Sequence, residues 1–196
     1  MDKLSYAWGL AMGNQLKAMG VSNLNIESYA DAVKSVFEGG EPAMQPDEAQ
    51  KLIQDYLADL QEKAAKTARE AGEKFLADNK INENVKETAS GLQYIIEKEG
   101  EGEHPTAESE VTVHYTGRLL DGTVFDSSVN RGEPATFPLN QVIPGWTEGV
   151  QLMKEGSKFR FFIPSDLAYG PHGVPNVIPP HATLIFDVEL IKINKK

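Results

Sequence analysis

The chain has 196 residues, 40% hydrophobic and 24% charged, with a formal net charge of -10 and no cysteine. That length allows one large domain or two small ones. The acidity argues against non-specific nucleic-acid binding, and the missing cysteine excludes disulfides, thiolate metal sites and cysteine nucleophiles.

No apolar run reaches the ~18 residues of a membrane helix, so no membrane partner is expected. The N-terminus "MDKLSYAWGLAMGNQ" has no continuous apolar stretch of the signal-peptide kind. The chain therefore reads as cytoplasmic, or as periplasmic or surface-located if a signal peptide has been removed.

The first 80 or so residues carry helical periodicity. Leu4, Trp8, Met12 and Leu16 recur every four residues and share one face. Gly9 and Gly13 lie on the same segment and permit close helix packing. A second helix is predicted from an Asn25 N-cap, through Ile26, Tyr29, Val33 and Phe37, to a stop at Gly39-Gly40. A third begins at Pro46-Asp47 and runs to about Asp78, roughly 50 Å at 1.5 Å per residue. Its first half is apolar along Leu52, Ile53, Tyr56, Leu57 and Leu60. The second half, "EKAAKTAREAGEKFLADNK", is mostly alanine and charge, with Glu62–Lys66 and Glu70–Lys74 at i,i+4 spacing. It reads as a solvated helical spacer. So small a helical region, with so broad an apolar surface, is poorly placed to fold alone. Either two copies pair through it or it packs on the rest of its own chain. The spacer favours a homodimer.

The second half has strand grammar. "GLQYIIEKEG", "VTVHYTG", "SKFRFFIP" and "ATLIFDVELIKI" alternate, the last with Leu184, Phe186, Val188 and Leu190 on one face. Asp121-Gly122, Pro144-Gly145 and Gly156 mark turns. One short helix fits Trp146, Val150, Leu152 and Met153. The fold class is α+β: an antiparallel sheet wrapped on a short helix, preceded by an all-α domain with a long connecting helix. The boundary is placed at residue 85, giving domains 1–85 and 86–196.

Reactive chemistry is scarce. His104, His114, His172 and His181 show no HExxH or similar spacing, so no metal site is expected. No GxSxG elbow, P-loop or GxGxxG follows a strand. What remains is a set of aromatic and aliphatic residues interrupted by turns.

Those residues carry a resemblance. "VHYTGRLLDGTVFDSS", "VIPGW", "AYG" and "IPPHATLIFDVEL", in that order, resemble the FK506-binding-protein family of peptidyl-prolyl isomerases over residues 88 to 196. The helical half resembles the dimerisation domain of its two-domain bacterial members, the macrophage infectivity potentiator type. The resemblance implies that Trp146 floors the pocket and that Tyr115, Phe125, Val142, Ile143 and Phe186 wall it. It makes Asp126 the pocket carboxylate and Arg131 its neighbour. Tyr169 becomes the hydroxyl that donates to a bound carbonyl, and Ile178 the aliphatic of the flap. Two positions depart from the family pattern. Ala135 stands where many members carry a rim aromatic, and Val174 where the best-known single-domain members have histidine. Both concern the rim.

The implied function is isomerisation of X-Pro bonds in unfolded or partly folded proteins, with no cofactor. Macrolides of the FK506 and rapamycin type are the implied inhibitors. The rival reading is a holding chaperone or interaction module, in which the helical dimer cleft binds unfolded protein.

Overall fold

In the computed structural model, which describes residues 1–194, Asp2 opens the first helix by accepting a hydrogen bond from Ser5 N–H at 2.7 Å. That helix, α1, spans Lys3–Ala18. Asn25 caps α2 (Ile26–Glu38) through Ser28 N–H at 2.9 Å, and Gly39 ends it in the left-handed conformation at φ 69°. Both boundaries follow the sequence reading. The third helix, α3 (Pro46–Asn79), is a single element of 34 residues.

The chain divides into two compact units, Met1–Leu60 and the remainder from Gln61 onward. The first has no buried residue anywhere along it. Leu4, Trp8, Leu52 and Ile53 are all more than half exposed.

The second half of α3 belongs to the C-terminal unit, and here the structure corrects the spacer reading. Ala65, Ala68, Gly72, Phe75, Leu76 and Asn79 form a covered stripe at three- and four-residue spacing. Gly72 is the one buried residue of the helix. The Phe75 ring meets Phe162 at a centroid distance of 5.6 Å. Gln93, which is 1% exposed, donates to Leu76 O at 2.9 Å and accepts from Asn79 Nδ2 at 2.9 Å. Alanine and glycine, read as surface helix formers, are small enough to bring the backbone close to the sheet. The ion pairs also differ from the expected set: Lys66 meets Glu70 at 3.9 Å and Lys74 meets Asp78 at 2.5 Å. All four side chains are mostly exposed, so these pairs contribute little.

Beyond α3 lies an antiparallel sheet of β1 (Lys86–Glu87), β2 (Gln93–Lys98), β3 (Glu110–Arg118), β4 (Val124–Ser127), β5 (Ala135–Pro138), β6 (Lys158–Ile163) and β7 (Leu184–Asn194). The spatial order is β1-β2-β6-β7-β3-β4, with β5 also on β3. Two short helices interrupt it, α4 (Ser128–Arg131) and α5 (Pro144–Gln151). Strand β3 alternates strictly: Val111, Val113, Tyr115 and Gly117 are buried, and their neighbours are not. In β7 the buried set is Leu184, Phe186, Val188 and Leu190, the face read from the sequence. These two strands pair at the middle of the sheet, with Tyr115 opposite Val188 and Gly117 opposite Phe186. Helix α5 joins the core through Trp146 and Val150. Strands β4 and β5 have four residues each, too few to show alternation in sequence.

Among the described residues no helix is long and apolar enough to cross a membrane.

The packing of α3 sets the order of stability of two truncated chains. A chain starting at Gln61 keeps Phe75 on Phe162 and the hydrogen bonds of Gln93. One starting at Lys86 loses them and leaves a buried amide without its α3 partners, at a cost of about 1–3 kcal/mol. Losing the aromatic contact adds about 0.5–1.5 kcal/mol. Urea unfolding of the two is expected to show the longer chain more stable by about 2 kcal/mol or more. Equal midpoints would show that α3 does not contribute to the sheet domain.

Candidate functional site: an aromatic cup

Pro144 begins α5 rather than breaking the chain. As the first helical residue it gives up an N–H that would have no partner there. Trp146 therefore sits in the first turn of the short helix read from the sequence. The helix lies close to the sheet because its inner positions are glycine. A Cβ on Gly149 would stand 2.7 Å from Phe161 Cε1, and one on Gly145 would stand 2.5 Å from Ile163 Cγ2. Thr147 Oγ1 donates to Leu139 O at 2.5 Å and ties the helix to the segment before it.

This placement drives the indole into a ring of aromatic edges. Tyr115, Phe137 and Phe186 approach Trp146 at centroid distances of 5.2, 5.9 and 5.3 Å, with interplanar angles of 90, 88 and 83°. Edge-to-face contact of this kind adds about 0.5–1.5 kcal/mol per pair beyond area burial. Trp146 is only 4% exposed, and its buried Nε1–H has no partner among the described residues. Packing alone holds the ring. Phe125 stands edge-on to Phe186 at 5.5 Å. The two rings meet across Gly117, where a Cβ would lie 2.5 Å from Phe125 Cζ.

Above the indole opens a cleft of about 500 Å³. Eight of the ten residues proposed from the sequence line it: Tyr115, Phe125, Asp126, Val142, Ile143, Trp146, Tyr169 and Phe186. Arg131 binds Asp126 at the rim. Ile178 is not on the wall; it lies in the core, 5% exposed, exchanging backbone hydrogen bonds with Val174. Phe137 and Gln141 also line the cleft and were not foreseen. Phe137 could have been found as the inward partner of Ala135 in "ATF", two residues on in a strand. Gln141 carried no signal. Ala135 packs against the core from β5, opposite Val113.

Polar groups in the cup are bonded to one another. The Tyr115 hydroxyl donates to Asp126 Oδ2, Arg131 Nη1 binds Asp126 Oδ1, and Arg131 Nη2 donates to the Tyr115 hydroxyl at 3.1 Å. Burial opposes the charge on Asp126, but the hydrogen bonds from Tyr115 and Arg131 outweigh it and hold the carboxyl below its ordinary range. Burial pushes the Tyr115 phenol up, and its bond to Asp126 pushes it further. Burial also raises Tyr169, with the Asp126 charge adding to the effect. The carboxylate stays charged and both phenols stay neutral across the physiological range. No group in the cup is poised to move a proton.

An antiparallel sheet closed over one short helix, with an indole-floored apolar cleft and no reactive group, defines a binding fold of the FK506-binding-protein class. Residues 101–191 match the family of FKBP-type peptidyl-prolyl cis-trans isomerases, and residues 1–96 match the domain amino-terminal to it. A probable FKBP-type isomerase FkpA of Neisseria meningitidis is 49% identical over 98% of this chain and 74% of its own length. An FKBP-type 22 kDa isomerase of Escherichia coli is 44% identical over 96% of this chain and 93% of its own. The crystal structure of FkpA from Escherichia coli superimposes with a TM-score of 0.80 at 35% identity, covering 97% of this chain and 93% of that one. The chain belongs to the FKBP-type peptidyl-prolyl cis-trans isomerases.

The lowered Asp126 carboxyl contributes stability above its unfolded value near 4, and that contribution is lost as pH falls through the lower, folded value. Asp126→Asn removes the contribution at pH 7. The stability gap between wild type and Asp126→Asn is therefore expected to be widest above about pH 5 and to narrow toward pH 3. Urea unfolding of both proteins across that range measures it. A gap that grew on acidification would reverse the sign assigned to Asp126.

Proposed function

We propose that this isomerase turns X-Pro bonds of protein chains in the cup floored by Trp146, without a cofactor. The observation that carries the proposal is the composition of the cleft: aromatic and aliphatic walls around one ion-paired carboxylate. Rotation about an X-Pro bond faces about 18–20 kcal/mol because amide resonance must be broken. Resonance puts negative charge on the carbonyl oxygen, and water stabilises the planar form. A dry aromatic cleft removes that water, so the planar amide loses more than the twisted one. The proline ring lies on the Trp146 indole, between Tyr115 and Phe186. The Tyr169 hydroxyl, neutral and 39% exposed as a residue, donates to a carbonyl of the bound chain. Asp126, locked by Tyr115 and Arg131, orders the wall and faces the twisted carbonyl carbon. It is not an acid or a base. Macrolides of the FK506 and rapamycin type occupy the same cup.

The N-terminal unit serves as a dimerisation domain, within a helical domain that ends near residue 85, ahead of the isomerase domain 86–196. The favouring observation is that residues 1–60 have no buried residue in the single chain. The exposed face includes Leu4, Trp8, Met12, Leu52, Ile53 and Tyr56, and apolar surface on this scale marks a partner face. A paired helical cleft also gives the chaperone reading a place, since it would hold unfolded chain near two cups.

Three measurements test this. The uncatalysed reaction takes about 10–100 s at 25 °C, so acceleration on a short X-Pro peptide is easily resolved. Leu-Pro is expected to be turned over faster than Glu-Pro, because the rim is apolar and the chain acidic. Tyr169→Phe is expected to cost about 2- to 10-fold, the equivalent of one neutral hydrogen bond. Phe125→Ala is expected to cost more, because it admits water. No acceleration by the wild type would sink the enzyme reading, and abolition by Asp126→Asn in a folded protein would make that residue an acid or base.

Light scattering of the full chain is expected to give twice the monomer mass. A form lacking the N-terminal unit is expected to be monomeric and active on short peptides. It should lag on proline-limited refolding of a whole protein, where a second cup raises the local concentration of chain. A monomeric full chain would remove the dimer.

A further inference from the structure

Helix α3 touches the sheet domain at a place that bears on the cup. Its buried Gly72 lies against Thr183, the residue before β7, where any Cβ would collide with the threonine hydroxyl and stand 3.2 Å from Thr183 Cβ. One turn earlier, Arg69 Nη2 lies 3.1 Å from both ring nitrogens of His181. A guanidinium has only donors, so a ring nitrogen of His181 accepts. His181 itself is held in the left-handed region at φ 59°, a conformation that persists in a non-glycine residue only when its surroundings hold it. Its backbone N–H donates to Gly170 O at 2.8 Å, closing the base of the loop that runs from 170 to 181. Gly170 follows directly on Tyr169, which lines the cup.

We propose that Arg69 is a positioning residue for the isomerase reaction: through His181 and Gly170 it fixes the loop base that sets Tyr169 over the cup. Neither Arg69 nor His181 lines the cleft. The chain of contacts Arg69–His181–Gly170–Tyr169 is continuous. Glycine at 72 is what allows the helix near enough for the arginine to reach. The inference rests on the reading of the cup as the isomerase site.

Arg69 is exposed, so Arg69→Ala keeps the fold and can be compared with wild type at equal unfolding midpoint. On a short X-Pro peptide it is expected to lose about three- to tenfold in kcat/KM, the range for one hydrogen bond. In the Tyr169→Phe background the same change is expected to cost less than about twofold, because the group it positions is gone. Amide exchange across 170–182 is expected to rise about tenfold in Arg69→Ala. Arg69→Lys, which retains a donor, should restore part of both. A silent Arg69→Ala, equal losses in the two backgrounds, or unchanged exchange overturns the proposal. A wild type without isomerase activity would overturn the reading of the cup instead, and the exchange measurement would still decide whether Arg69 holds the loop.

Discussion

The geometry of the C-terminal unit depends on one contact, the indole of Trp146 against three aromatic edges. A short helix must lie close enough to the sheet to deliver that ring, and the surrounding sequence is arranged around this requirement. Gly145 and Gly149 remove the side chains that would hold α5 away from Ile163 and Phe161. Gly117 removes the one that would separate Phe125 from Phe186. Pro144 fixes the backbone at the first position of α5, two residues ahead of the ring. Because Tyr115, Phe137 and Phe186 come from three different strands, the cup is as rigid as the sheet. A rigid apolar surface suits a reaction whose barrier is resonance within the substrate.

The electrostatics follow from the same geometry. A carboxylate in a cleft lined by six aromatic side chains would be costly if unpaired. Tyr115 and Arg131 resolve this by binding both of its oxygens, and Arg131 closes the triangle onto the Tyr115 hydroxyl. The Arg131 guanidinium also lies 5.8 Å from the centroid of the Tyr115 ring. The carboxylate on the cleft wall is thereby held in a fixed orientation. The cup keeps one ion pair in an otherwise mostly apolar lining, which is the combination that desolvation of an amide needs.

Much of this was legible in the sequence, for identifiable reasons. Alternation revealed β3 and β7 because each is long and buried on one face. Linked motifs named most of the cup because its side chains sit close in sequence to turns and strand ends. Phe137 was missed because β5 has only four residues, and an isolated aromatic in so short a strand has no period to belong to. The covered stripe of α3 was missed for a different reason. Alanine and glycine signal helix propensity and close packing with the same letters, and only the position of Thr183 and Phe162 tells the two apart. Ile178 illustrates a third limit: a motif places a residue near the cup, but the turn around Gly173 decides whether it faces the cleft or the core.

The two units differ in how they account for their own stability. From Gln61 onward the chain has a continuous core in which Leu92, Val113, Phe161, Leu184 and others are fully buried. Residues 1–60 fold into helices with good caps at Asp2, Asn25 and Gly39, yet bury nothing. Caps contribute about 1 kcal/mol each, whereas ordering a backbone costs about 1–2 kcal/mol per residue. Local signals therefore define where these helices begin and end but cannot keep them folded. A Cβ added at Gly9 or Gly13 would meet nothing within 4 Å among the described residues, so the smallest residues of α1 lie in open space beside its exposed Trp8 and Met12. This is the surface through which the dimer proposed above would pair: a second α1 is apolar and carries the same relief at the same spacing.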